Sequence, residues 1–319
     1  MGSVAATKMK RYRHGIMGTV CVPWNEDFSF SEELFRWQVR HLVRNGIRDL
    51  YIFGTAGEGY AVTETQFDTI TRVFLDETAA HPGLQSLVGI ISLSLPNIIE
   101  RIGRAKAIGA RRFQISLPGW GALNDAELDT FFRETCGRFP DCEFMHYNLA
   151  RSRRLLTPAD YARLAERHPN FVATKNSSQD AGFVAELLKA APQLQHFLTE
   201  IGFGHAGLLG ECGLLISAAS VQPALAARYV RAAVERDAAT LAAMQGELRN
   251  LIGDLIKVVS DSAHMDGAYD KMFCRLHDQR FPLRLLPPYA SVPEEVFERF
   301  VELLRTKYPQ WLPTASVAP

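Results

Sequence analysis

The sequence has no excess of either charge: 35 Lys and Arg offset 35 Asp and Glu, for a formal net charge of zero. Without a basic surplus there is nothing to neutralise a phosphate backbone, which argues against a nucleic-acid partner. No apolar run reaches the roughly 18 residues that cross a bilayer. Cysteine is scarce: Cys21, Cys136, Cys142, Cys212 and Cys274 are scattered, odd in number and free of any CxxC. They read as small buried hydrophobes of a reducing cytoplasm, not as a disulfide framework or a zinc set. The nine histidines include no HExxH or other ligand spacing, so no metal and no cofactor is expected. The opening MGSVAATKMKRYRHG lacks the apolar core of a secretory signal, and Ala6 stands where a myristoylation signal needs Ser or Thr. Residues 1–13 are therefore expected to form a disordered leader.

What is present is a chain of 319 residues, 47% hydrophobic, long enough to bury a large core. From residue 16 onward, short β-rich runs alternate with longer amphipathic patterns. Strands are predicted over 16–22, 50–53, 87–91, 112–117, 144–148, 171–175, 195–199 and 214–218. Helices are predicted between them, over 31–45, 64–80, 96–108 and 125–139, then from Thr157-Pro158 onward, with Ser31 and Thr63 as N-caps. Eight strand-helix units in roughly 220 residues match a (β/α)₈ TIM barrel better than a doubly wound sheet, which needs fewer strands and a reversal of strand order. Strand signals stop after Arg236. Helical patterns over 238–259, 263–276 and 293–307, around the proline-rich FPLRLLPPYASVP, predict a C-terminal helical appendage over 237–319 on a barrel over 14–236.

The run Phe171-Val172-Ala173-Thr174-Lys175-Asn176-Ser177-Ser178 reads as a buried strand ending in a lysine. In a parallel barrel, catalytic groups sit at such C-terminal strand ends. A desolvated amine there titrates nearer neutrality and can act as a nucleophile toward a ketone. The ordinary alternative is a lysine whose stem lies along the strand while its head reaches water. The second strand ends in Gly54-Thr55-Ala56-Gly57-Glu58-Gly59, a turn whose amides and Thr55 hydroxyl suit a carboxylate, or simply a tight strand-to-helix turn. The fifth strand ends in His146-Tyr147-Asn148, whose phenol can pass protons if it faces the lysine.

GTAGEG after the second strand, YN after the fifth and KNSS at the end of the sixth resemble the signature of the dihydrodipicolinate synthase and N-acetylneuraminate lyase family, class I pyruvate-dependent aldolases. Tyr147 and Lys175 lie 28 residues apart, similar to the family spacing. The resemblance implies that Lys175 forms an imine with pyruvate or another 2-oxo acid, that Tyr147 relays protons, and that Thr55 and the Ala56 amide hold the carboxylate. It also implies an aldehyde partner and a homodimer or homotetramer.

Gly57, Glu200, Ser217, Trp120 and Arg151 complete the expected substrate-binding set, with Glu200 a candidate acceptor for sugar hydroxyls. Three positions depart from the family pattern. Ala56 replaces a hydroxyl residue, Ser152 stands where synthases carry arginine, and Trp120 follows the fourth strand where lysine-pathway synthases place a relay tyrosine. A lyase for a 2-keto-3-deoxy sugar acid, or for a bulkier or aromatic aldehyde, fits these departures better than 4-hydroxy-tetrahydrodipicolinate synthase proper. The Arg151-Ser152-Arg153-Arg154 cluster offers cations to a distal anionic group, or forms a solvated loop or subunit contact. A non-catalytic 2-oxo-acid-binding protein on the same barrel is the alternative of another class. Gly202-Phe203-Gly204-His205-Ala206-Gly207 matches GxGxxG, but it closes a strand-helix series instead of opening one, so close packing explains it better than a dinucleotide.

Overall fold

The computed structural model describes residues 11–313. Its elements run β1 (Ile16–Thr19), α1 (Glu32–Arg44), β2 (Asp49–Ile52), α2 (Glu64–Ala79), β3 (Gln85–Ile90), α3 (Leu95–Ile108), β4 (Arg112–Ile115) and α4 (Asp125–Phe132). There follow β5 (Glu143–Asn148), α5 (Pro158–Arg167), β6 (Phe171–Asn176), α6 (Ala181–Ala190), β7 (Gln195–Leu198), α7 (Glu200–Ala206), β8 (Gly213–Ile216) and α8 (Pro223–Val234). Three further helices follow among the described residues, α9 (Ala238–Val259), α10 (Asp266–His277) and α11 (Glu294–Lys307). The eight strands are parallel and close in sequence order, β8 pairing back onto β1, so the chain is a (β/α)₈ barrel and all eight C-terminal strand ends face one side.

The pleat sends successive side chains of each strand to opposite faces. Side chains of β1, β2, β5, β6 and β7 that point inward, Met17, Tyr51, Met145, Ala173 and Phe197, pack into a small inner core, closed from below by Tyr12. Their neighbours point outward into a larger core shared with the helices. Thr63 and Thr157 close capping boxes on α2 and α5, whereas Ser31 occupies the N-cap position of α1 without a side-chain bond. The helix predicted over 125–139 is α-helical only to Phe132 and continues as a π-helical turn, Arg133–Gly137. The Thr135 hydroxyl there bonds back to the Phe131 carbonyl at 2.8 Å, a competitor for the regular ladder.

Two boundaries differ from the sequence reading. Residues 1–10 of the expected leader lie outside the described residues. Residues 11–13 do not behave as one: Tyr12 is buried and bonds Asp49 at 2.9 Å, and Arg13 pairs with the same carboxylate. The C-terminal helices are also more than an appendage. They share the barrel's outer core, and α10 lies against the C-terminal strand ends, where Gly267 sits so close to Ala56 that a Cβ would stand 2.9 Å from its carbonyl oxygen. No helix among the described residues is long and apolar enough to cross a membrane.

Candidate active site

β6 places Lys175 where the sequence reading expects it, opposite Tyr147 of β5 and Phe197 of β7 in the strand register. Every residue of β6 is buried, and the lysine has only 4% of its surface exposed. Its amine lies 3.8 Å from the centre of the Tyr147 ring and 4.6 Å from that of Tyr51. It donates a 2.6 Å hydrogen bond to the Tyr51 hydroxyl, which also accepts from Thr19 at 2.7 Å. The rings stabilise an ammonium weakly, but loss of water dominates. Burial pulls the Lys175 pKa down to about 8, with Asp266 and Asp270 opposing the fall and Arg151 assisting it. The amine is therefore partly neutral near physiological pH, as a nucleophile requires.

Tyr147 is buried beside it. Desolvation and the Asp266 charge push its phenol above the ordinary tyrosine range, while a hydrogen bond from Thr55 works the other way. A phenol held neutral in this way keeps a proton to deliver. Thr55 is itself buried, at the start of the glycine turn, and a Cβ on Gly57 would stand 2.7 Å from the Phe53 amide nitrogen. Only glycine permits that approach. Phe53 and Glu58 adopt positive φ on either side of it.

The turn is anchored from the C-terminal region. The buried Glu58 carboxylate accepts from Trp24 Nε1 at 2.9 Å, from the Leu286 amide at 2.7 Å and from the buried Lys271 ammonium of α10. Two fully desolvated charges are tolerable only with partners of this kind. Lys271 also donates to the Arg284 carbonyl, which ties α10 to the segment before α11.

A cavity of about 260 Å³ opens above Lys175, lined by Ala56, Tyr147, Ser217, Glu200, Asp270 and residues of α9. Ser217, following β8, donates from its hydroxyl to Asp270 at 2.7 Å and from its amide to Glu200 at 2.7 Å. Glu200, at the first turn of α7, takes a second amide from Ala219 at 3.1 Å, and burial raises its pKa. The same Oε1 atom serves both bonds, so Glu200 first holds the β8 loop, a task that the hydroxyl-acceptor reading did not include.

Other expected residues are placed differently. Trp120 is 85% exposed and does not line the Lys175 cavity. Arg151 faces a neighbouring cavity of about 610 Å³ together with Thr55 and Ser152, and pairs with Asp266 at 3.4 Å. Arg153 donates to the Gly119 carbonyl, and Arg154 to Asp125 and the Leu123 carbonyl. Arg153 and Arg154 thus fasten the segment after β5 to the one after β4, whereas Arg151 reaches α10.

Gly202 and Gly204 fall inside α7 instead of in a phosphate-cradling loop, and a Cβ on Gly204 would stand 2.4 Å from the Tyr229 hydroxyl of α8. Helix packing accounts for the GxGxxG match. Among the described residues no group of three or more His, Cys, Asp or Glu side chains is arranged to hold a metal ion.

Three residues of the site were missed. Tyr51 lies in the buried run of β2 and reads as core. Asp266 and Asp270 stand four apart on α10, a spacing that puts both carboxylates on one helix face; with the apolar residues beside them, that spacing was the available signal. Burial and the charges of Asp266 and Glu200 raise Asp270 to about 7, offset by the Ser217 bond and by Lys175.

Comparison with known proteins follows the same lines. Residues 13–305 match the model of the dihydrodipicolinate synthetase family. An uncharacterised DapA-like lyase of Pyrococcus abyssi is 24% identical over 92% of this chain and 97% of its own. The probable 2-dehydro-3-deoxy-D-pentonate aldolase YjhH of Escherichia coli K12 is 25% identical over 93% and 97%. The match to the 4-hydroxy-tetrahydrodipicolinate synthase of an Exiguobacterium species, 26% identical, spans 56% of this chain and 60% of that relative. Among solved structures, the Escherichia coli prophage protein YagE, determined in complex with pyruvate, superposes with a TM-score of 0.82 at 19% identity, covering 92% of this chain and 97% of that one; at that identity the likeness shows the fold. The family match extends from the start of the barrel into α11, taking in every strand end just described, and the chain belongs to the dihydrodipicolinate synthetase family of lyases.

Proposed function

We propose that the protein is a Schiff-base-forming lyase, a class I aldolase or dehydratase acting on pyruvate or a longer 2-oxo acid, with Lys175 as nucleophile. The observation that carries this reading is the buried amine between two phenol rings, its pKa lowered to about 8, at the floor of a cavity. The neutral amine adds to the 2-keto carbon, and loss of water leaves a protonated imine. That imine is an electron sink: a proton leaves the adjacent carbon to give an enamine, which attacks an aldehyde carbon to form the new carbon–carbon bond. The aldehyde oxygen takes its proton from Tyr147, and hydrolysis of the imine returns the lysine and the product. In cleavage the steps reverse, and Tyr147 receives the hydroxyl proton. Thr55 and the Ala56 amide hold the 2-oxo acid's carboxylate.

The pyruvate complex of YagE and the pentonate-aldolase name of YjhH support a 2-keto-3-deoxy acid or related aldol as substrate. Ala56, Ser152 and the exposed Trp120 weigh against a lysine-pathway synthase. A homodimer or homotetramer in the cytoplasm completes the reading; the five free cysteines are in keeping with that compartment. The test is incubation with pyruvate and borohydride, intact-mass measurement and mapping of the modified peptide, with Lys175→Ala as control. An adduct on Lys175 is the expected result. Reversible pyruvate binding without an adduct would instead favour a non-catalytic 2-oxo-acid-binding protein.

A further inference from the structure

The wall that faces Lys175 carries three carboxylates, a broad stretch of hydrocarbon, and the uncharged polar side chains of Thr19, Ser177, Gln179 and Thr199. Glu200, Asp266 and Asp270 line it, and among the described residues Lys175 is the only Lys or Arg that does. In the reaction proposed above that cation becomes the imine and is matched by the 2-oxo acid's own carboxylate. Arg151, the nearest further cation, faces the adjoining cavity and is already paired with Asp266. An acceptor bearing a second carboxylate would therefore meet carboxylates without a counter-ion, an arrangement that discriminates strongly in a partly desolvated pocket.

Two of the polar groups nearest the acids are already engaged. Glu200 Oε1 takes two backbone amides, and the Ser217 hydroxyl is committed to Asp270. The hydrocarbon comes chiefly from Ile252, Leu255 and Ile256 of α9, Ile201 of α7, and Tyr269 and Phe273 of α10. Ile256 is half exposed at the rim, so an apolar chain would cover hydrocarbon that now meets water.

We infer that the aldehyde handled with pyruvate is uncharged and carries an apolar body, aliphatic or aromatic, lodged between α9 and α10. The inference rests on the Schiff-base reading and narrows its substrate class. It is tested with a matched series: pyruvate plus butanal, plus succinic semialdehyde, which extends the same carbon chain with a carboxylate, and plus glyceraldehyde. Borohydride trapping of pyruvate alone is run beside them.

The expected result is an adduct on Lys175 and a kcat/KM for butanal at least roughly tenfold above that for either other aldehyde. Asp266→Asn, which removes one wall charge and releases Arg151, should then raise kcat/KM for succinic semialdehyde and narrow the ratio. Parity across the series, preference for the charged or hydroxylated aldehyde, or an adduct with no turnover of butanal would overturn the inference while leaving the Schiff-base reading in place. Failure of the adduct itself would remove both.

Discussion

The Lys175 amine and the Tyr51 hydroxyl are joined by a 2.6 Å hydrogen bond across the barrel interior, between β6 and β2, with Thr19 of β1 fixing the far side of the phenol. The bond gives a flexible four-carbon stem one orientation and leaves the amine lone pair available to a ketone above it. Tyr51→Phe keeps the ring and removes the acceptor. Borohydride trapping should slow by roughly tenfold or more, with little change in pyruvate affinity, because orientation is lost and binding is not. Stability should fall by only about 1 kcal/mol, the usual net worth of such a bond. An unchanged trapping rate would show that the bond does not orient the nucleophile.

The depressed amine pKa predicts both a rate profile and a stability cost. Imine formation should rise with pH up to about 8 and level off beyond it, whereas an ordinary lysine would keep gaining to 10.5. Because the folded-state pKa lies below the unfolded one, the unfolded chain holds its proton more tightly between these values. The folded state is therefore penalised below about pH 8, and the penalty fades as pH rises toward 10.5. At 1.36 kcal/mol per unit the shift corresponds to about 3 kcal/mol. Lys175→Met should thus be more stable than the parent in denaturant titrations at pH 7, and the difference should shrink by pH 10. A variant less stable at both pH values would show that the amine is not under strain.

The glycine turn and α10 should fail together. Lys271→Met leaves Glu58 buried with two neutral donors and no cation, a change expected to cost about 3–5 kcal/mol in the denaturant midpoint. Glu58 lies in the turn whose Thr55 and Ala56 are assigned to the 2-oxo acid, so pyruvate binding should weaken as well, measurable by calorimetry on the folded fraction. If stability falls and pyruvate affinity does not, the ion pair supports the fold alone.

These residues also mark where sequence reading works and where it stops. The strand over 171–175 was legible because a charge closes a largely apolar run, and the 54–59 turn because its glycines are closely spaced. Such signals are local. Tyr51 is not legible in that way: Asp49-Leu50-Tyr51-Ile52 reads as core, and its hydroxyl acquires meaning only when barrel closure sets it against a lysine 124 residues away. Asp270 is hidden for the same reason. Periodicity places a helix at 263–276, but nothing in that stretch reveals that it folds back over the ends of β2 and β8. The expected appendage was therefore right in its helices and blind to its role. Trp120 shows the converse: a residue that looked chemically informative from its place after a strand stands in solvent.

Asp270 and Lys175 titrate against each other, and the sign of the coupling is testable. An ionised carboxylate beside an ammonium favours the charged amine, so Asp270 holds the Lys175 pKa above the value that burial alone would give. Asp270→Asn removes that anion and keeps a hydrogen-bonding group for Ser217. The pH midpoint of pyruvate trapping should move below about 8, leaving more neutral amine at pH 7. The reverse must also hold. Replacing Lys175 by Met removes a cation that favours the Asp270 carboxylate, so that group should titrate above about 7, by an amount equal to the first displacement. Trapping kinetics across pH give the first shift and carboxyl-selective NMR titration gives the second. No shift in either titration would show that the two groups are uncoupled, and unequal shifts would show that one substitution rearranges the site around Asp266 and Arg151, which face the same amine.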